Sequence, residues 1–212
     1  MLPAACSLAF APRIQDDMRI RLLVFLLLFR WLLAAQEVKD TSFRAPDGER
    51  VQRLEMVVPA ALKEVWETVS TSRGWTTFMA PAVDMELKTG GKFLSNYRAG
   101  AKPGDPGTVY NTVLAYVPMQ MFAMKVGLTD AFPKEVREAG TLFAVLTMEE
   151  AGPGRVKLSE MMVGWREGPG WDWTWKFFAE GNRYTLLEMY KRFQRGPVDW
   201  KAKAPAKVHS ER

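Results

Sequence analysis

Residues Trp171–Phe193 read WDWTWKFFAEGNRYTLLEMYKRF. At 100° per residue, Trp171, Trp175, Phe178, Asn182, Leu186, Met189 and Phe193 fall within about 80° of one another. One face is therefore apolar, with a single amide in it. The spacing predicts a long amphipathic helix. Gly196-Pro197 stops it, and the Lys201–Arg212 stretch beyond, basic and proline-containing, is expected to be a disordered tail.

A helix with one apolar stripe needs a partner surface, and the preceding residues offer strands. Val51–Val58 alternates, with Val51, Arg53, Glu55 and Val57 against Leu54, Met56 and Val58. Pro59 ends that strand. A helix follows through about Val69, with Leu62, Val65, Trp66 and Val69 on one face. A second short helix or turn is expected over Trp75–Met79. Val83–Leu87 and Phe93–Arg98 flank Thr89-Gly90-Gly91, a hairpin signal. After the loop Gly100–Gly107, strands are expected over Thr108–Val117 and Met121–Val126. Ala131–Ala139 holds one helical turn or is irregular. Thr141–Glu149 and Arg155–Val163 pair across the turn cluster Glu150–Gly154. This order predicts an α+β fold in one domain over residues 51–200.

The 212 residues contain one cysteine and one histidine, His209 near the end of the chain. Disulfide frameworks, structural zinc sites, multi-histidine metal centres and His-based triads are thereby excluded from a folded core. No Gly-rich phosphate loop or nucleophile elbow is present. The net charge of +5 includes two units from residues 1–35, where four arginines oppose two aspartates. So small an excess, with its charges interspersed, is no nucleic-acid footprint. No metal, cofactor or nucleic acid is expected as a partner.

From Met18 the chain reads MRIRLLVFLLLFRWLLAAQEV. Arg19 and Arg21 form a basic head, Leu22–Phe29 an unbroken apolar run, and Leu33-Ala34-Ala35 a small-residue cleavage site. Residues 18–35 are expected to be a signal peptide, 1–17 an upstream extension, and 36–50 a linker. Secretion or export to the periplasm follows. The alternative is an uncleaved leader that anchors the protein to a membrane, despite the interruption at Arg30.

Several short stretches, in order, resemble one superfamily. They are Val57-Val58-Pro59-Ala60 with Trp66; Arg73-Gly74-Trp75-Thr76-Thr77-Phe78; Gly90-Gly91-Lys92-Phe93; and Val163-Gly164-Trp165. Phe178-Ala179-Glu180-Gly181-Asn182 and Gly196-Pro197-Val198-Asp199-Trp200 complete the set. The chain so resembles the SRPBCC (START/polyketide-cyclase-like) superfamily, in its Activator of Hsp90 ATPase-like branch. The resemblance implies a helix-grip fold: a curved antiparallel sheet of about six to seven strands wrapped around the C-terminal helix. It also implies one or two short helices after the first strand, and an apolar cavity between sheet and helix. It carries no shared catalytic motif.

The candidate cavity residues are Trp75, Phe78, Met85, Phe93, Tyr97, Tyr110, Met124, Glu160, Trp165, Trp175, Phe178 and Asn182. Twelve Met, twelve Phe and eight Trp give such a cavity adaptable and flat surfaces. For any one aromatic residue, plain core packing is the competing explanation. Asn182 either meets backbone, water or a ligand, or eases a helix bend or close contact beside Gly181. Glu160 shares parity with Val156, Leu158 and Met162, which would make it a pocket acid. The commoner expectation is a β-bulge that turns it outward.

Three function classes follow: a binding module for a small apolar, aromatic or lipid-like ligand; a cyclase/aromatase-type enzyme; and a chaperone-interaction domain. The first is the leading expectation. The enzyme would need a buried acid such as Glu160 aligned with tyrosines. The leader opposes the third, because Hsp90 is cytosolic.

Overall fold

The computed structural model describes residues 37–202. The expected upstream extension, signal peptide and most of the tail lie outside the described residues.

The 36–50 stretch, expected as a linker, carries two short strands instead. These are β1 (Lys39–Asp40) and β2 (Phe43–Arg44), and both pair antiparallel with β3 (Arg50–Val58). Helix α1 (Leu62–Val69) and the single turn α2 (Ser72–Trp75) follow. Next come β4 (Ala82–Met85), β5 (Lys92–Asn96), β6 (Val109–Val117), β7 (Met121–Lys125), helix α3 (Lys134–Ala139), β8 (Phe143–Glu150) and β9 (Val156–Val163). The chain closes on the 27-residue helix α4 (Pro169–Arg195). Nine strands, not six or seven, therefore make up the sheet among the described residues. The excess is the pair of two-residue pieces, too short to leave an alternation signal.

The sheet runs β1-β3-β9-β8-β7-β6-β5-β4, with β2 also on β3, and every pairing is antiparallel. The meander β4–β9 is local hairpin after hairpin. Only β3 is placed non-locally, beside β9. The α1–α2 connection carries the chain from β3 to the opposite edge.

Two glycines in the resembling stretches have steric reasons. A Cβ on Gly74 would lie 2.1 Å from the Thr68 carbonyl oxygen, so α2 can fold back on α1 only with glycine there. Thr71 caps that turn, its hydroxyl accepting from the Gly74 N–H at 3.0 Å. Gly164 has φ of +87°, and a Cβ there would sit 1.7 Å from the Thr141 carbonyl oxygen. The last resembling stretch is a tether. Val198 N–H donates to the Thr77 carbonyl at 2.9 Å, and the Trp200 indole to the Thr76 carbonyl at 2.6 Å. The end of α4 is thereby tied to the exit of α2.

Candidate functional site

The inner face of the sheet carries two apolar clusters. The larger includes Leu54, Phe122, Leu146 and Leu158 from the sheet, with Leu186 and Met189 from the C-terminal half of α4. The smaller joins Ala144, Met162, Trp165 and Trp171, with Trp175 and Phe178 packed against it from the N-terminal half. Met124, half-buried, touches both clusters. On α4 the seam between them falls at Ala179–Asn182, where the side chains are small or polar.

On the sheet the seam holds Glu160. The register of β9 with β3 and β8 is unbroken, so no bulge turns Glu160 outward. The carboxyl stands on the inner face with Leu158 and Met162, opposite Leu54 on one side and Leu146 on the other. Neither neighbour can hydrogen-bond, and Glu160 forms no hydrogen bond or ion pair among the described residues. The residue is half-buried, and the loss of water around its carboxyl pushes its pKa up to about 7.

Tyr97 lies just past β5, on the parity of inward-facing Phe93 and Ser95. In a flat sheet, the four strand spacings from β9 to β5 would separate it from Glu160 by about 19 Å. At that distance a charge in solvent is screened out. The phenol pKa is nevertheless raised, first by desolvation and further by the Glu160 charge, with a Ser95 hydrogen bond opposing. The sheet is curved enough to bring the two residues into electrostatic reach. Taken as a whole residue, Tyr97 remains exposed over 59% of its surface.

Two amides complete the seam. Asn182 on α4 is half-buried and donates its Nδ2 to the Met162 sulfur at 3.2 Å. It meets no backbone group. Gly181 beside it borders open space, so it is Asn182 rather than Gly181 that makes the contact between α4 and β9. Gln52 on β3 is 1% exposed and donates Nε2 to the Trp175 carbonyl at 2.9 Å. Its Oε1 is buried without a hydrogen-bond partner. Such an atom bears a desolvation cost of about 1–3 kcal/mol until something donates to it.

The remaining candidates divide. Trp75, Phe78 and Phe93 are core: the Trp75 ring lies 5.2 Å from Phe78 and 5.1 Å from Phe93, and its indole donates to the Val69 carbonyl at 2.8 Å. Met85 is half-buried on the inner face at the β4 edge, packed on the same core. Trp165 is structural too, donating to the Met162 carbonyl at 3.0 Å, although its ring meets Trp175 at 5.0 Å. Tyr110 is not a cavity residue. It pairs with Leu94, whereas its neighbour Asn111 pairs with Phe93, so Tyr110 points out of the convex face. Met124, Trp175 and Phe178 pack on the cluster around Met162, which Asn182 also reaches, with Glu160 two residues before it on β9; Tyr97 is linked to them only through the Glu160 charge.

Two residues join them that the sequence did not single out. Gln52 had a signal in the alternation of β3, where it shares parity with Leu54 and Met56. Phe132, between β7 and α3, stacks on Phe178 at 5.6 Å and 18° and walls one end of the site. A loop residue carries no periodicity that would announce this.

No family model matches the chain, and no curated protein matches it either. Solved structures do. CalU16 from Micromonospora echinospora is 16% identical with a TM-score of 0.54, over 78% of this chain and 87% of its own. The Aha1 dimer from Colwellia psychrerythraea is 10% identical with a TM-score of 0.53, over 69% and 97%. The conserved protein EF2215 from Enterococcus faecalis is 14% identical with a TM-score of 0.52, over 80% and 82%. The fold is the helix-grip fold. At these identities the likeness concerns backbone architecture, and it matches what the resembling stretches implied. Within the helix-grip architecture, the Glu160–Asn182 seam lies between the gripping sheet and the gripped helix.

Proposed function

We propose that the protein is a helix-grip member of the SRPBCC superfamily that binds a small, largely apolar ligand between the inner sheet face and α4. The observation that carries this reading is Glu160, an inward carboxyl flanked by leucines and left without a partner. A protein that needed only a packed core would do better with an apolar residue there. Half-buried Met124, Trp175 and Phe178 supply area for an aromatic or aliphatic body. Asn182 and Tyr97 supply polar contacts of the kind that orient a ligand. We assign the protein to the secreted or periplasmic space, on the strength of the basic head and apolar run of residues 18–35.

Native mass spectrometry of protein purified from its own host tests the binding reading. A discrete bound mass, lost when Trp175→Ala and Phe178→Ala are combined, is expected. A bare polypeptide mass under non-denaturing conditions, together with no saturable uptake of apolar probes, would overturn it. N-terminal sequencing of the exported product tests the location and should begin near Gln36.

A second reading rests on the same carboxyl. An acid raised to about 7 and within electrostatic reach of a phenol suits general acid–base catalysis near neutral pH, as in a cyclase-type reaction. Returning the recovered ligand to fresh protein separates the two: a binding protein gives it back unchanged. An enzyme converts it, and Glu160→Gln stops the conversion.

A further inference from the structure

Acceptors at the seam are left short of donors. Gln52 spends its donor on the Trp175 carbonyl and leaves Oε1 open. Asn182 spends a donor on the Met162 sulfur, which leaves its carbonyl free to accept. The Glu160 carboxyl, when ionised, is acceptor only. The nearby Trp165 indole is already committed to the Met162 carbonyl. A ligand that presented a carboxylate or phosphate would put a second negative charge beside Glu160.

Among the described residues no cation neutralises that carboxyl. On β3 the nearest inward cation is Arg50, which is held by Asp172 at 2.7 Å and spans the Trp175 ring at 4.9 Å, with its Nε buried and unpartnered. On α4, Arg183 donates to the Val38 carbonyl at 2.6 Å. The inward residues of β8 are Ala144, Leu146 and Met148, and those of β7 are Phe122 and Met124, none of them charged. From β5 comes only the Tyr97 phenol.

We propose that the ligand is an apolar amine, its protonated nitrogen seated between Glu160 and Gln52 and its body lying against Trp175 and Phe178. This rests on the ligand-binding reading above and names the ligand's class. An ammonium offers several donors to these acceptors and neutralises a carboxylate that no cation among the described residues compensates. Aromatic walls suit it further, because ring faces attract cations. Glu160 must be ionised to act as counter-ion, so binding strengthens as pH rises through neutrality.

Calorimetric titration with three naphthalene probes of one shape, 2-naphthylmethylamine, 2-naphthylmethanol and 2-naphthoate, tests this. The matching dodecyl amine, alcohol and carboxylate extend it to a flexible body. At about pH 8 the amine of one set should bind roughly tenfold or more tighter than its alcohol, with the carboxylate weakest. At about pH 5.5 the amine's advantage should shrink several-fold. Glu160→Gln should erase the preference and the pH dependence while still binding the alcohol, which shows the variant is folded. Gln52→Leu should reduce the preference in part. Equal or better binding of the alcohol or carboxylate by the wild-type protein would overturn the amine proposal and leave the binding reading standing. No saturable binding of any of the six probes would overturn both.

Discussion

Asn182 hands its side-chain amide to the sulfur of Met162 across 3.2 Å, from the apolar stripe of α4 to the inner face of β9. A thioether is a weak acceptor, so this contact returns little of what it costs to desolvate an amide. The residue is held near the proposed ligand position without being tied to the backbone.

Asn182→Leu should therefore leave the ligand-free protein as stable as wild type or up to about 1 kcal/mol more stable, since a poorly satisfied polar group is replaced by an apolar one. Chemical denaturation of the two proteins measures this. A loss of about 2 kcal/mol or more, roughly the worth of a well-made buried bond, would assign Asn182 to structure alone.

Glu160 governs the pH dependence of stability. Its pKa is raised by burial from 4.5 to about 7. Below 4.5 the group is protonated in folded and unfolded chains alike, and its full contribution to stability is present. As pH climbs from there to about 7 the unfolded chain sheds the proton first, so stability falls, by a total on the order of 3 kcal/mol. Glu160→Gln lacks this slope. Urea midpoints should nearly coincide at about pH 4 and favour the variant at about pH 8. Parallel pH profiles for the two proteins would contradict the burial of the charge.

Phe93 and Tyr110 lie one residue out of register on neighbouring strands and face opposite ways. Phe93→Ala should cost about 3–5 kcal/mol, because it opens a cavity between Trp75 and Phe122. Tyr110→Ala should cost about 1 kcal/mol or less, since 59% of that residue is already exposed to solvent. Thermal melts of both variants check the assignment of faces. A Tyr110 variant as damaged as the Phe93 one would reverse it.

Gly164→Ala should destabilise the fold by several kcal/mol, roughly the sum of a positive-φ penalty and a backbone clash. The added methyl would meet the Thr141 carbonyl at 1.7 Å. Gly181→Ala, on the exposed side of α4 with nothing within 4 Å, should instead stabilise by about 0.5–1 kcal/mol. Parallel melts of the two variants give the comparison, and a harmless Gly164→Ala would mean the β8–β9 end can open.

Most of the fold was legible because its elements are local. The stripe on α4, the apolar face of α1, and the alternation of β3, β8 and β9 each repeat within a few residues, and the turns between them carry Gly and Pro. The two-residue strands β1 and β2 were not legible, since pairing there depends on where β3 passes rather than on their own residues. Tyr110 was misplaced for a related reason. In Val109–Val117 aromatic and apolar residues fall on both faces, and Leu114 interrupts the register, so parity alone could not say which side is inner.

The sequence by itself determined that a long apolar-striped helix must close against an antiparallel meander, and that one amide would lie in that stripe. Periodicity carries that much, because it is a property of each segment alone. Only the tertiary structure decided that the core parts into two clusters and that Glu160 faces inward at the seam. It also decided that Gln52 and Asn182 spend their donors nearby, leaving acceptors open. Those facts depend on which strands become neighbours and how far the sheet curls. The residues involved are up to 130 positions apart in the chain, from Gln52 to Asn182, and no local pattern links them.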